Sequence, residues 1–268
     1  MVSLPDSPTP QRLQIGLAVQ EGWRAFRRAP WPFMAFALLL LGLQAIASRW
    51  QESGPLALVG SLATLLINVW GVTGLVRGAW CALEGGRPSL LTLLRWDGPA
   101  VGRLFLATLL FSLLLGLLFL PLRPLVEPIL QELASAAASG RTPDPTISST
   151  TAISLLLAAA FTTYLAVSQS FLAQIALLRG PGPWGTLVQG RRGVDRQWGR
   201  VLALHLLEGL LLLAGAMACL VGILPMLPLA SCISTAAYRQ IFGREDHTGL
   251  SRRDLAPGSA ALNQERPG

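Results

Sequence analysis

Residues 201–238 read VLALHLLEGLLLLAGAMACLVGILPMLPLASCISTAAY, and His205 and Glu208 are their only acidic or basic side chains. Wound as one α-helix at about 1.5 Å per residue, this stretch would measure about 57 Å. That is nearly twice the roughly 30 Å of hydrocarbon in a bilayer. Gly222 and Pro225 supply a break near its middle, because proline removes a helical donor and clashes with the preceding turn. The stretch is therefore read as two membrane helices, about 201–219 and 222–241, joined by a tight turn.

The rest of the chain repeats the pattern. Only 13% of the residues are charged and 52% are hydrophobic, against roughly 25% charged in an ordinary soluble domain. The charges also cluster. Nineteen uncharged residues separate Arg103 from Arg123, 24 separate Glu52 from Arg77, and 34 separate Asp144 from Arg179. A crossing needs roughly 20 apolar residues, which places further spans at about 31–48, 55–76, 104–122 and 153–177. Ala45-Ile46-Ala47 resembles a signal-peptidase site, but the patterned sequence before the first apolar run is long for a signal. The first run is read as a retained span.

All 21 basic residues are Arg. If six spans alternate, the N-terminus, the 77–103 and 179–200 loops and the C-terminus share one face. Only Arg49, Arg123 and Arg141 fall on the other, leaving 18 of the 21 together. Positive residues mark the cytoplasmic side, so both termini are expected in the cytoplasm and the protein in a bacterial inner membrane or its equivalent. Trp23, Trp31, Trp80, Trp96, Trp184 and Trp198 fall near the same boundary, as an aromatic belt would. The net charge of +7 fits anionic lipid head groups better than nucleic acid, since the Arg residues flank apolar runs.

Between spans the sequence is amphipathic. Residues 1–10 are expected to be loose, with Thr9 and Pro10 a helix-start signal. Ile15, Ala18, Val19, Trp23 and Phe26 then recur at helical spacing, as in a helix lying in the interface plane. Shorter segments of this kind are expected near 89–96 and 184–198, and a short interfacial helix within the 123–150 loop, where Leu122, Leu125, Val126, Ile129, Leu130 and Leu133 form a helical stripe. Residues 244–268 read as a disordered cytoplasmic tail.

Three segments share one plan: a basic amphipathic stretch, a span, an outer turn and a returning span. They enter as GWRAFRRAPWPFMAFALLLLG from Gly22, RWDGPAVGRLFLATLLFSLLLG from Arg95 and GRRGVDRQWGRVLALHLLEGLLLLAG from Gly190. They return as LVRGAWCALEGGRPSLLTLLR, ALLRGPGPWGTLVQGRR and AAYRQIFGRED. The expected architecture is an all-α membrane protein of six spans as three hairpins, with a threefold internal repeat as one description. The alternative is that any Leu-rich hairpin with basic inner ends looks alike.

At these residues, over about 11–243, the chain resembles a broad group of bacterial six-span proteins. The group includes the membrane domain attached to some glycerophosphodiester phosphodiesterases and related integral membrane proteins whose standalone members have no established activity. The resemblance implies a six-helix fold. The phosphodiesterase activity would need its own barrel and metal-binding carboxylates, which this sequence does not supply.

Few residues carry chemistry. His205 and Glu208 lie three apart on one helix face, and an ionisable group inside a span points to function by default. The competing reading is a packing pair, with Glu208 bound to Arg200, Arg103 or Arg77. Asn68, Tyr164, Gln169 and Gln174 are intramembrane polar groups that either share a cavity or bond between helices. Gly74 and Gly78 have the spacing of a close helix contact. Arg191, Arg192, Arg196 and Arg200 are candidate lipid-phosphate contacts, or part of a general positive collar. Cys81, Cys219 and Cys232 are too far apart for a metal motif and read as small buried hydrophobes. No nucleotide loop, zinc-ligand spacing or nucleophile elbow is present, and no metal or cofactor is expected.

The function expected is therefore non-enzymatic: a scaffold, lipid-interacting or assembly- and stress-related membrane component, as a homo-oligomer or with a membrane partner. The alternative is a small-molecule or ion carrier built on His205 and Glu208.

Overall fold

Hydrocarbon offers no partner to a backbone N–H or C=O, so a chain this apolar satisfies them internally as helix. The computed structural model describes residues 12–51, 57–140, 149–218 and 222–250. Among the described residues every regular element is helical. In order these are α1 (Ile15–Arg28), α2 (Pro30–Gln51), α3 (Ala57–Leu83), α4 (Leu90–Leu94), α5 (Gly98–Phe119), a 3-10 turn (Leu120–Leu122), α6 (Arg123–Ser139), α7 (Ser149–Ser168), α8 (Leu172–Gln174), a π turn (Ile175–Arg179), α9 (Pro183–Asp195), α10 (Trp198–Met217) and α11 (Ile223–Phe242). Among the described residues five helical stretches are long and apolar enough to cross a membrane: Pro30–Gln51, Ala57–Leu83, Gly98–Leu117, Ala152–Arg179 and Trp198–Met217. The protein is thus a multi-pass all-helical membrane protein.

α11 is 20 residues long but is not one of the five, and its surroundings give the reason. It packs on α1, α2, α3 and α10, and Leu229, Cys232, Ile233, Ala236, Ala237 and Tyr238 are buried. A helix enclosed by protein does not need the uniform hydrophobicity that lipid demands. It carries Pro228 in its interior and Ser231, Ser234 and Thr235 along its length. The Thr235 hydroxyl bonds back to the Ser231 carbonyl at 2.7 Å.

α1 forms a different contact from the one its sequence implies. The expected start at Thr9 and Pro10 lies outside the described residues; helix begins at Ile15. Its start is held by distant side chains. The Leu13 N–H donates to Gln197 Oε1 at 2.7 Å, the Gln14 N–H to Gln240 Oε1 at 2.9 Å, and Arg200 donates to the Leu13 carbonyl at 3.2 Å. The buried face is Ala18, Gly22, Ala25 and Phe26, while Trp23 is exposed. Small residues on that face let α1 lie directly against α11, so it is docked on the bundle.

α2 and α3 pair closely, and the Gly74 and Gly78 spacing is used there. Phe36 of α2 and the Leu93 carbonyl of α4 approach Gly74, and Leu93 and Phe33 approach Gly78. The pairing of α5 differs. It meets the fourth apolar stretch through α8 and the π turn, while Leu113, Leu117, Leu156 and Leu157 on the outer halves of α5 and α7 are exposed.

The start of the stretch read as a loose tail is bonded to the bundle. A helix leaves its last four carbonyls without intrahelical partners. At the end of the π turn the Ala176 carbonyl accepts from Arg103 Nε at 3.2 Å, Leu177 from the Thr248 hydroxyl at 2.6 Å, and Leu178 from the His247 N–H at 2.9 Å. Gly180, in the left-handed region at φ 66°, returns its N–H to Ile175 at 3.2 Å, a glycine C-cap. Arg179 in turn donates to the Phe242 carbonyl at the end of α11 at 2.6 Å. Residues 244–250 therefore close the inner ends of two helices; residues 251–268 lie outside the described residues.

A Cβ on Gly22 would sit 2.7 Å from the backbone N and Cα of Ile233, whereas one on Gly16 would meet nothing within 4 Å. Gly22→Ala is expected to destabilise the purified protein by about 1–3 kcal/mol, as overpacking does. Gly16→Ala should be neutral or stabilising by up to about 1 kcal/mol through helix propensity. Thermal or denaturant unfolding in detergent measures both.

Candidate functional site

The fourth apolar stretch is discontinuous, and its polar residues sit at the discontinuity. α7 ends at Ser168 and helix resumes at Leu172. Across the gap Ser170 N–H donates to the Val167 carbonyl at 3.2 Å and Leu172 N–H to the Gln169 carbonyl at 2.9 Å. The Ser170 hydroxyl also bonds the Val167 carbonyl, at 2.8 Å. Irregular backbone at membrane depth is tolerated where protein surrounds it or a cavity adjoins it, and both conditions hold here. Gln169 Nε2 donates to the Leu187 carbonyl of α9 at 3.1 Å, and Gln174 Nε2 to the Ser234 hydroxyl of α11 at 3.1 Å. The break is thereby anchored to two neighbouring helices.

These bonds leave acceptors unused. Gln169 Oε1, Gln174 Oε1 and Ser168 Oγ are buried without hydrogen-bond partners. A groove of about 250 Å³ lies between α3, α5 and the break, with Gln169 and Ser170 in its lining. Its walls are mostly apolar, with Leu65, Val72, Leu104 and Phe111 among them, and Asn68, Thr108, Gln169 and Ser170 add polar atoms. Two of the expected intramembrane residues, Asn68 and Gln169, are thus brought to one groove. Gln174 is turned to α11, and Tyr164 donates to Asp195 Oδ1 at 3.1 Å while stacking on Trp198 at a centroid distance of 6.3 Å.

His205 and Glu208 form a separate feature on α10. His205 Nδ1 lies 3.9 Å from Glu208 Oε2, with the histidine half exposed and the carboxylate largely buried. They line neither the groove nor the two basic cavities at the other helix ends. The arginines considered as partners for Glu208 are engaged elsewhere. Arg200 holds Leu13, Arg103 holds Ala176, and Arg77 is directed to Asp97. Glu208 Oε1 is buried with no hydrogen-bond partner.

Of the four arginines read as lipid-phosphate contacts, all are exposed. Arg191 pairs with Asp195 at 3.5 Å, one helical turn away, and Arg200 is committed to Leu13. Arg192 and Arg196 remain on the surface of the α9 end.

Arg77 is the residue whose role the sequence did not disclose. It is 1% exposed, near the inner end of α3. Its guanidinium donates to the Arg95 carbonyl at 2.8 Å and the Thr92 carbonyl at 3.4 Å, and lies 3.6 Å from Asp97. Asp97 also caps α5 by accepting from the Ala100 N–H at 3.2 Å. The legible signal was Asp97 before Gly98-Pro99, an N-cap ahead of proline in the first turn.

No nucleophile–base pairing is formed by the polar residues of the groove. Among the described residues no group of three His, Cys, Asp or Glu side chains is placed to hold a metal ion. Cys81 and Cys232 are buried; Cys219 lies outside the described residues. The arrangement can seat an apolar chain and offer hydrogen bonds to a polar group beside it. No family model, curated protein or solved structure matches the chain.

Because Glu208 pairs with no arginine among the described residues, Glu208→Gln should not lower the stability of the purified protein. A loss of about 3–5 kcal/mol, as from breaking a buried ion pair, would show a cationic partner for it. Unfolding of the variant in detergent distinguishes the two.

Proposed function

We propose that this is a non-enzymatic, lipid-interacting integral membrane protein that seats a bilayer lipid in the groove beside the broken fourth span. The observation that carries the reading is the groove itself: apolar walls, a polar edge at Asn68, Thr108, Gln169 and Ser170, and about 250 Å³ of space. Pockets for small-molecule ligands run from about 300 to 1,000 Å³. A space below that range suits one segment of a lipid chain better than a whole transported solute. The spans are also thinly covered: 17–39% of each apolar window is buried within the chain. Lipid, or another copy of the chain, covers the remainder.

The proposed topology is six spans as three hairpins, with α11 crossing as the enclosed sixth helix and the Arg-rich face in the cytoplasm. An even number keeps 18 of the 21 arginines on that face. The resemblance to the six-span family supports the same count, and a bacterial inner membrane is the setting it implies. The threefold repeat fits the shared entry and return segments, and the scaffold or assembly role is a broader form of the lipid-interacting reading.

The carrier reading rests on one observation, the unpartnered buried oxygen of Glu208, since ionisable groups within spans mark ion pathways by default. It ranks second because the His205 and Glu208 pair adjoins none of the three described cavities.

The test is lipid retention measured by native mass spectrometry after delipidation in mild detergent. The protein should keep a bound lipid, and Thr108→Phe, which fills the groove, should reduce its occupancy several-fold while the protein stays folded and monodisperse. No retained lipid, or retention indifferent to Thr108→Phe, would sink the proposal. Glu208-dependent proton or solute flux in liposomes would support the carrier reading in its place.

A further inference from the structure

A second site is assembled at the Arg-rich ends of α1, α3 and α11, away from the groove. Glu21, Arg24 and Arg28 lie three and four residues apart, so they share one face of α1. Arg239 comes from the last turn of α11. Arg244 follows the turn at Gly243, whose φ of 97° is left-handed and favours glycine. These side chains line a notch of about 180 Å³, floored by Ala25, Ala82 and Leu83.

Two of the four guanidiniums are fixed in place. Arg28 donates to the Ala82 carbonyl at the end of α3. Arg239 pairs with Glu84 at 2.9 Å and lies over the Trp80 ring, 5.2 Å from its centroid. Arg24 and Arg244 line the notch from its exposed side. With Glu21 and Glu84 counted against the four arginines, the cluster carries a net formal charge of +2.

Arginine near a helix C-terminus is favoured by the helix dipole, and that accounts for Arg28 on Ala82. It does not account for four guanidiniums around one small space, drawn from segments some two hundred residues apart in sequence. Like charges gathered in this way repel unless an anion lies among them. Planar guanidinium forks match phosphate oxygens in geometry and charge. The notch is smaller than the roughly 300 Å³ at which small-molecule sites begin, so it admits a phosphate-sized group and leaves the base and sugar of a nucleotide outside.

We propose that the notch bounded by Arg24, Arg28, Arg239 and Arg244 binds a phosphate monoester group or free phosphate at the Arg-rich membrane surface. Arg28 and Arg239 are the fixed pair and Arg24 and Arg244 close on the anion. Glu21 at the rim limits the affinity. The site does not depend on the lipid groove.

The test uses the full chain in nanodiscs of phosphatidylcholine, titrated with inorganic phosphate by calorimetry, and in nanodiscs containing phosphatidic acid, with the lipid retained on delipidation measured by mass spectrometry. Saturable phosphate binding identifies the free ion as a ligand; retention of phosphatidic acid over phosphatidylcholine without phosphate binding identifies a lipid headgroup. In either case the Arg24→Gln/Arg244→Gln double variant should weaken binding by at least about tenfold, through two lost charge-assisted contacts. Arg27→Gln, which removes a charge from α1 outside the notch, should change it little, and Glu21→Gln should tighten it. Among the described residues Arg24 and Arg244 make no hydrogen bond or ion pair, and Glu21→Gln gives a readout in the opposite direction should the double variant fail to fold. Absence of both ligands, or equal weakening by Arg27→Gln, overturns the site in favour of a general positive collar.

Discussion

The guanidinium of Arg77 is a charge taken out of water, and the inner half of the protein is arranged around it. An unpaired buried charge is prohibitively unfavourable, so its surroundings must supply acceptors. They come from the backbone carbonyls of Thr92 and Arg95 and the carboxylate of Asp97. Meeting that demand folds residues 89–97 back against α3, where Leu93 is wholly buried over Gly74 and Gly78. Asp97 then starts α5 by capping Ala100. One side chain thereby joins the end of the second apolar helix, the short α4 and the start of the third.

The same economy recurs at the other inner helix ends. Arg103, Arg179 and Arg200 each donate to a backbone carbonyl of another segment. These arginines of the Arg-rich helix ends thus cap carbonyls that lipid and neighbouring helices would leave exposed. At the opposite helix ends Gln51 Nε2 donates to the Thr64 hydroxyl at 2.9 Å, and leucines such as Leu113, Leu117, Leu156 and Leu157 face outward. This asymmetry fits a protein anchored at one membrane surface and loosely covered in the bilayer.

The apolar helices were legible because lipid-facing segments must be both long and free of charge, which composition displays directly. The intervals before Arg77 and between Arg103 and Arg123 each correspond to a long helix, and the interval before Arg179 to a helical stretch broken after Ser168. α11 was recognisable from Gly222 and Pro225, but its enclosure by four helices was not, since serine, threonine and proline in a span can signal either burial or a break. α1 was legible as amphipathic, but its docking on α11 through Gly22 and Ala25 was not, because hydrophobicity gives little weight to the small residues that allow close approach. At the candidate site, Asn68 and Gln169 were visible as polar residues in apolar runs. Their convergence depends on the break after Ser168, for which the sequence has no proline or glycine marker. Arg77 could not be matched to Asp97 by spacing, because the α4 segment between them folds back and makes a 20-residue separation irrelevant.

The most direct test of this account is the coupling between Arg77 and Asp97, measured by a double-mutant cycle of Arg77→Gln and Asp97→Asn in reversible unfolding from a bilayer-mimetic detergent. Arg77→Gln alone should cost about 3–5 kcal/mol, as loss of one partner of a buried pair does. The double variant should be less destabilised than the two single losses added together, with a coupling of at least about 0.5 kcal/mol. Additive losses, or an Arg77→Gln protein as stable as the parent, would contradict the claim that this buried guanidinium organises the inner half of the fold.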